Sequence, residues 1–331
     1  MRQLSLLPDY NTAEQDKPVN VASVPQRSPF RYPGGKTWLV PLFRRWMNSF
    51  GRPPAVLIEA FAGGGIISLT AAFEKLAGRI VMVELDHNVA AVWSAIFGGD
   101  AEWLAKKVVA FELSLEAAQK EFEKAPHSQR ELAFQTLLRN RIAHGGILAE
   151  GAGVLKHGEN GKGIHSRWYP QTLARRIRSL RFVARRIEFV HGDAFEVIPK
   201  FADNPDAVFF LDPPYTAGGK KAGQRLYTHC EIAHDRLFTL CGRVRGKFLM
   251  TYDNAAEVRL MAHRHGFETM PVAMTNTHHA EMKELLISRD LSWLNRPMRL
   301  REPAPLYRAT VPRKPKGVPK RGSKKRTRRK P

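Results

Sequence analysis

Residues 55–84 read AVLIEAFAGGGIISLTAAFEKLAGRIVMVE. The run 55–59 is short and apolar, as a strand buried on both faces must be. Gly63, Gly64 and Gly65 follow, then a stretch of helical length at 66–76, then a second apolar run at 80–84. Strand, glycine turn, helix and strand predict a parallel βαβ unit. Working outward, 207–211 (AVFFL) and 247–251 (KFLMT) repeat the strand pattern, with weaker runs at 187–190 and 285–288. Helical patterns follow at 88–96 and 234–244. The alternation predicts a doubly wound α/β sheet.

The rhythm breaks between 95 and 186. Residues 101–124 and 129–142 read as helices, 145–163 carries seven glycines, and 173–186 (LARRIRSLRFVARR) reads as a basic amphipathic helix. An inserted, mainly helical lobe with a long loop is expected there. Residues 1–27 read as a flexible arm, and 302–331, rich in Lys, Arg and Pro, as a disordered basic tail.

The chain has 331 residues, 43% of them hydrophobic, which excludes wholesale disorder. No apolar run reaches the roughly 18–20 residues of a membrane span. Residues 1–10 lack a long apolar stretch, so no signal peptide is expected. Two cysteines, Cys230 and Cys241, are too few for a disulfide framework or a zinc ribbon and point to a reducing cytoplasm. The formal net charge is +22, and residues 313–331 hold 11 Lys and Arg with no acid, so half of the excess sits on the rest of the chain. A polyanion, most commonly nucleic acid, is the expected partner.

Four segments could carry chemistry. Asp212-Pro213-Pro214-Tyr215 follows the strand 207–211 directly. Two prolines stiffen the turn and fix where the carboxylate and carbonyls point, at the strand end where open α/β sheets bind ligands. An aspartate, a rigid carbonyl and a Tyr ring suit an exocyclic amine on a stacked heterocycle. The turn from Glu59 to Gly65 lets the backbone approach a ligand closely. It is not the dinucleotide fingerprint, whose third glycine would fall at Ser68, and this counts against a dehydrogenase. Glu84, at the tip of the second strand, is suited to a ribose, with Asp86 a competitor. Arg31-Tyr32-Pro33-Gly34-Gly35-Lys36 offers a turn that could face an anion, without the phosphate-loop spacing.

In order and content, these segments resemble the Dam-like (D12 class), DPPY-containing family of S-adenosylmethionine-dependent DNA adenine-N6 methyltransferases. The likeness covers about 28–94 and 187–290 and touches Leu138-Arg139-Asn140-Arg141 and Trp168-Tyr169-Pro170. It implies a Rossmann-like class I methyltransferase sheet, with 28–94 and 187–301 catalytic and 95–186 an inserted target-recognition lobe. It implies that Glu84 holds the cofactor ribose and that the turn from Glu59 through Phe61, Gly63, Gly64 and Gly65 cradles its methionine end. Tyr32 and Lys36 would line the same pocket, and Asp193 would meet the cofactor adenine. Asp212 and the Pro213 carbonyl would accept the target amine's hydrogens, Pro214 would stiffen the turn, and Tyr215 would stack on the base.

Arg139, Asn140, Arg141 and His144 become candidates for base edges or for filling the gap left by the flipped base. Lys156, Lys162 and Arg167, with Arg175, Arg176 and Arg178, form a basic stripe for phosphate. The family's Asn-Arg-x-x-x-Asn-Gly pattern appears as Asn140 to Gly146, with Gly145 in place of the second Asn. The expected partner is double-stranded DNA, bound by a monomer or weak dimer with no metal and no membrane. The expected setting is bacterial or phage-encoded, cytoplasmic and nucleoid-associated. Alternatives are an RNA adenine-N6 or DNA cytosine-N4 methyltransferase, or a catalytically dead DNA-binding relative.

Overall fold

A computed structural model describes residues 23–32, 34–149, 152–158, 161–214, 232–275 and 281–295, all within one compact unit spanning 1–298. Residues 299–331, with the basic tail, lie outside the described residues. In chain order the elements are α1 (Val40–Asn48), β1 (Val56–Glu59), α2 (Ile66–Glu74), β2 (Arg79–Glu84), α3 (His87–Ala95), α4 (Ala101–Ala110), α5 (Leu115–Glu123), α6 (Gln129–Ile142) and α7 (Pro170–Ser179). They continue with β3 (Ile187–His191), α8 (Ala194–Val197), β4 (Ala207–Leu211), α9 (His234–Arg243), β5 (Lys247–Asp253), α10 (Ala256–Arg264), β6 (Glu268–Thr275) and β7 (Glu281–Ser288).

Seven strands form one sheet in the order β3-β2-β1-β4-β5-β7-β6. β1 to β5 pair in parallel, and β7 runs antiparallel between β5 and β6. This is the Rossmann-like class I methyltransferase fold, with mainly helical chain inserted between α3 and β3. Strand period decides the layering. Leu57, Ile80, Met82, Phe210 and Leu249 join one apolar cluster, while Ile58, Val81, Val83, Phe209 and Met250 join a second on the opposite face. Each large side chain buried in this way contributes about 1.5–3 kcal/mol. The first cluster runs on into the insert through Leu104, Phe134, Leu137, Leu138 and Ile177, so the helical region shares the sheet's core.

Several expected boundaries differ. The helix expected over 101–124 is two helices. Phe111 is extended and packs edge-on against Phe134 and Trp168, and Ser114 then caps α5 by accepting from Ala117 N. The helix expected over 173–186 begins at Pro170, ends at Ser179, and continues as short 3-10 turns. β6 has no counterpart among the expected strands. Its Pro271 weakens the pattern and is tolerated because β6 is the edge strand. The arm expected to run to residue 27 is already docked at Val24, which is buried, and Arg27 pairs with Glu74 at 2.8 Å.

No helix among the described residues is long and apolar enough to cross a membrane. No cluster of potential metal ligands occurs among the described residues.

Candidate active site

The strand order reverses between β1 and its neighbours β2 and β4, which sets a crevice at the carboxyl ends of these strands. Glu59 ends β1, Glu84 ends β2, and Asp212 follows β4, so three of the acids singled out by sequence gather on one rim. The glycine turn connects the first two. Gly63 N donates to Glu84 Oε2 at 2.7 Å, and Asp86 N donates to Glu84 Oε1 at 2.8 Å. Burial pushes the Glu84 carboxyl up to about 7, against the pull of those N–H groups. Glu59 lies beneath the turn and accepts from Ser68 N, in the first turn of α2, at 2.8 Å; burial pushes it up to about 8.

The glycines are needed where they stand. Gly63 has φ +46, and a Cβ there would come within 2.5 Å of the Tyr32 ring; one at Gly64 would meet Tyr32 Cβ at 2.8 Å. Tyr32 therefore lies across the turn. Trp93 Nε1 donates to Gly63 O at 2.9 Å and fixes the turn from below. Phe61 is half-buried against the second apolar cluster. Asp86 caps α3 through Asn88 N and Val89 N, so it is engaged locally while Glu84 braces the turn. Asp193 caps α8 by accepting from Phe195 N at 2.8 Å, beside the end of β3.

The β4 side is built from side chains. Asp212 Oδ1 accepts from Thr251 Oγ1 at 2.7 Å and lies 3.0 Å from Lys36 Nζ. Lys36 also donates to Gly34 O at 3.0 Å and reaches Glu284 Oε2 at 3.4 Å. Lys36 is 4% exposed, an unusual setting for an ammonium that two carboxylates make tolerable. Pro213 is buried and Pro214 half-buried, whereas Tyr215 lies outside the described residues.

The residues expected to read DNA divide into two groups. Arg139, His144, Lys156 and Lys162 are exposed, and Arg167 is half-buried. Arg139 stacks on Phe122 at 4.7 Å. Asn140 and Arg141 are corrected. Asn140 is fully buried: its Oδ1 accepts from Arg31 N at 2.9 Å, and its Nδ2 donates to Arg31 O at 2.9 Å and Gly146 O at 2.7 Å. Arg141 is buried and donates to Pro29 O. Both residues are tied to the backbone that leads into Tyr32 and Lys36, so neither is open to a base edge. A side chain at Gly146 would collide with the Arg31 carbonyl, which explains a glycine at that position. In the basic stripe, Arg178 is paired with Glu102 at 2.9 Å, and Arg176 donates to Gln26 Oε1 at 2.7 Å.

No family model matches the chain, and no curated protein matches it. Solved structures were found at low similarity. A Pyrococcus horikoshii protein provisionally assigned as an RNA methyltransferase is 12% identical, with 84% of this chain and 96% of that chain covered and a TM-score of 0.38. The rRNA methyltransferase aviRa of Streptomyces viridochromogenes is 13% identical over 84% and 92% of the two chains, TM-score 0.33. A precorrin-6y C5,15-methyltransferase of Geobacter metallireducens is 13% identical over 74% and 85%, TM-score 0.32. What the site does is therefore read from its own residues.

Two members of the site escaped the sequence reading. Thr251 is the last residue of the KFLMT run, where its hydroxyl reads as an ordinary strand terminus. Glu284 precedes the apolar run 285–288, and a lone acid inside a strand pattern was the one signal available.

Proposed function

We propose that the chain transfers the methyl group of S-adenosylmethionine to N6 of an adenine flipped out of duplex DNA. The observation that carries this reading is Asp212 on its proline turn, held by Thr251 and Lys36, on the same rim as the glycine turn and Glu84. The donor set fits the cofactor. Glu84 offers a carboxylate to a ribose diol, Tyr32 packs on the turn at Gly63 and Gly64 as an aromatic wall, and Asp193 stands beside the end of β3. Bound there, S-adenosylmethionine supplies a methyl group activated by a sulfonium.

The chain's own work concerns the amine. The adenine N6 lone pair is delocalised into the ring and is a poor nucleophile. Hydrogen bonds from N6–H to Asp212 and the Pro213 carbonyl favour a more tetrahedral nitrogen and stabilise the positive charge that grows on it. Holding the amine in line with the methyl group supplies much of the remaining rate. A base inside a duplex cannot reach this rim and must be extruded; Tyr215 is the proposed stacking surface. Arg139, His144, Lys156, Lys162 and Arg167 are proposed to contact DNA, and the basic tail adds sequence-independent grip.

The test is transfer from labelled S-adenosylmethionine to unmethylated duplex DNA and, in parallel, to structured RNA, with mass spectrometry of the digested nucleosides. N6-methyladenine in DNA supports the proposal. Label confined to RNA, or on cytosine N4, replaces the substrate while keeping the chemistry. Label on neither nucleic acid removes the reading.

A further inference from the structure

Methylation of an exocyclic amine leaves a proton to dispose of. The side of Asp212 facing the protein interior is where that proton has a route. Lys36 Nζ lies 3.0 Å from Asp212 Oδ1 and 3.4 Å from Glu284 Oε2. A simple buried ion pair needs one carboxylate, whereas here one ammonium serves two. Glu284 itself is not part of any motif that suggested the function.

We propose that Lys36 and Glu284 form a proton exit behind Asp212, with Glu284 the internal acceptor. The inference rests on the adenine reading above. Adenine N6 forms its bond to the methyl carbon as the carbon–sulfur bond breaks, the electron pair going to sulfur. As that bond forms and positive charge grows on N6, N6 gives a proton to the Asp212 carboxylate. Asp212 hands it to Lys36 Nζ as Lys36 gives one of its own protons to Glu284. Lys36 ends as the same ammonium, Asp212 as the same carboxylate, and the proton rests on Glu284. Asp253, opposite Glu284 in the β5–β7 register and half-exposed at the end of β5, leads it to solvent.

Electrostatics suit the role. Burial pushes Glu284 up to about 7, Lys36 pulls it down, and Asp212 and Asp253 push it up. A group that titrates near neutrality both takes and releases a proton readily. Among the described residues, the charged groups facing it include Lys36 from the opening segment, Asp212 after β4 and Asp253 from β5; its partner on β6 is Val272, which carries no charge.

The experiment measures single-turnover methylation of duplex DNA against pH for the wild type, Glu284→Gln and Glu284→Asp. Cofactor and DNA binding are measured on the same preparations. The proposal expects Glu284→Gln to slow transfer roughly 100-fold with both affinities unchanged. The wild-type rate should rise with pH to a plateau above about 7 as Glu284 ionises; this limb should be missing in Glu284→Gln and partly restored in Glu284→Asp.

A Glu284→Gln enzyme with the wild-type rate and the same limb overturns the exit while leaving the adenine reading intact. A wild type that forms no N6-methyladenine overturns both. Should Glu284→Gln not fold, the wild-type solvent isotope effect decides: a value above one that fades along with the limb supports the exit, and unity throughout overturns it.

Discussion

On the β1–β2–β3 side of the rim, each acid is held by backbone N–H groups, all but Gly63 N within ten residues of it in sequence. Ser68 N holds Glu59, Gly63 N and Asp86 N hold Glu84, and Phe195 N holds Asp193. On the β4–β5–β7 side, Asp212 is held by Thr251 and Lys36, and Lys36 by Glu284, each from a different part of the chain. A site made of backbone bonds within neighbouring strands and their turns forms when those few elements form. A site made of distant side chains exists only when the whole sheet has closed. The first suits a pocket that binds a constant ligand; the second suits a group whose charge must be set finely.

The largest expected effect breaks the second side. Lys36→Met removes the ammonium between Asp212 and Glu284, and truncating one member of a buried ionic cluster costs about 3–5 kcal/mol. Because the orphaned groups are acids, the loss should grow with rising pH; thermal melting at several pH values measures it. A loss independent of pH would mean that the ammonium is not what holds this side together.

Next is the clasp between the helical insert and the opening segment. Asn140→Ala removes three hydrogen bonds to the Arg31 and Gly146 backbone, at about 1–3 kcal/mol. Chemical denaturation should show that loss with the preferred DNA sequence unchanged. Arg139→Ala should do the reverse, lowering DNA affinity with little change in stability.

On the first side, Glu84→Ala should weaken S-adenosylmethionine binding by at least about tenfold, the worth of a hydrogen bond to a charged group, and leave DNA binding intact. Calorimetric titration with each ligand separates the two.

The last effect is a matter of pH. Glu59 is raised from 4.5 to about 8 in the folded chain, so the folded state holds its proton more tightly than the unfolded state. That contribution is fully present below about 4.5 and is lost as pH rises through about 8. Glu59→Gln keeps the acceptor for Ser68 N without the charge. Its melting temperature should match the wild type at low pH and exceed it by a growing margin as pH rises through this window.

The same contrast explains what could be read in the sequence. The parallel strands, the glycine turn and Glu84 were legible because their signals are local: an apolar run, a turn that excludes side chains, an acid at a strand end. Asp212 was legible from the two prolines beside it. Thr251 and Glu284 were not, because nothing near either residue in sequence says that the sheet will bring Thr251 to Asp212 and Glu284 to Lys36. Asn140 and Arg141 were legible as special and wrong in role. A polar pair on a helix reads as a surface, and only the fold shows the Arg31 backbone laid against it. The break at Phe111 was hidden for the same reason, its aromatic partners Phe134 and Trp168 lying in other segments.

The central claim is that Asp212 acts on an exocyclic amine. Its most direct test is single-turnover methylation of duplex DNA by wild type and Asp212→Ala, with product nucleosides identified and both dissociation constants measured. N6-methyladenine is expected from the wild type, with a loss of at least about 100-fold in Asp212→Ala while cofactor and DNA still bind. An Asp212→Ala enzyme that turns over near the wild-type rate, or a methyl group found on a ring atom instead of the amine, would contradict it.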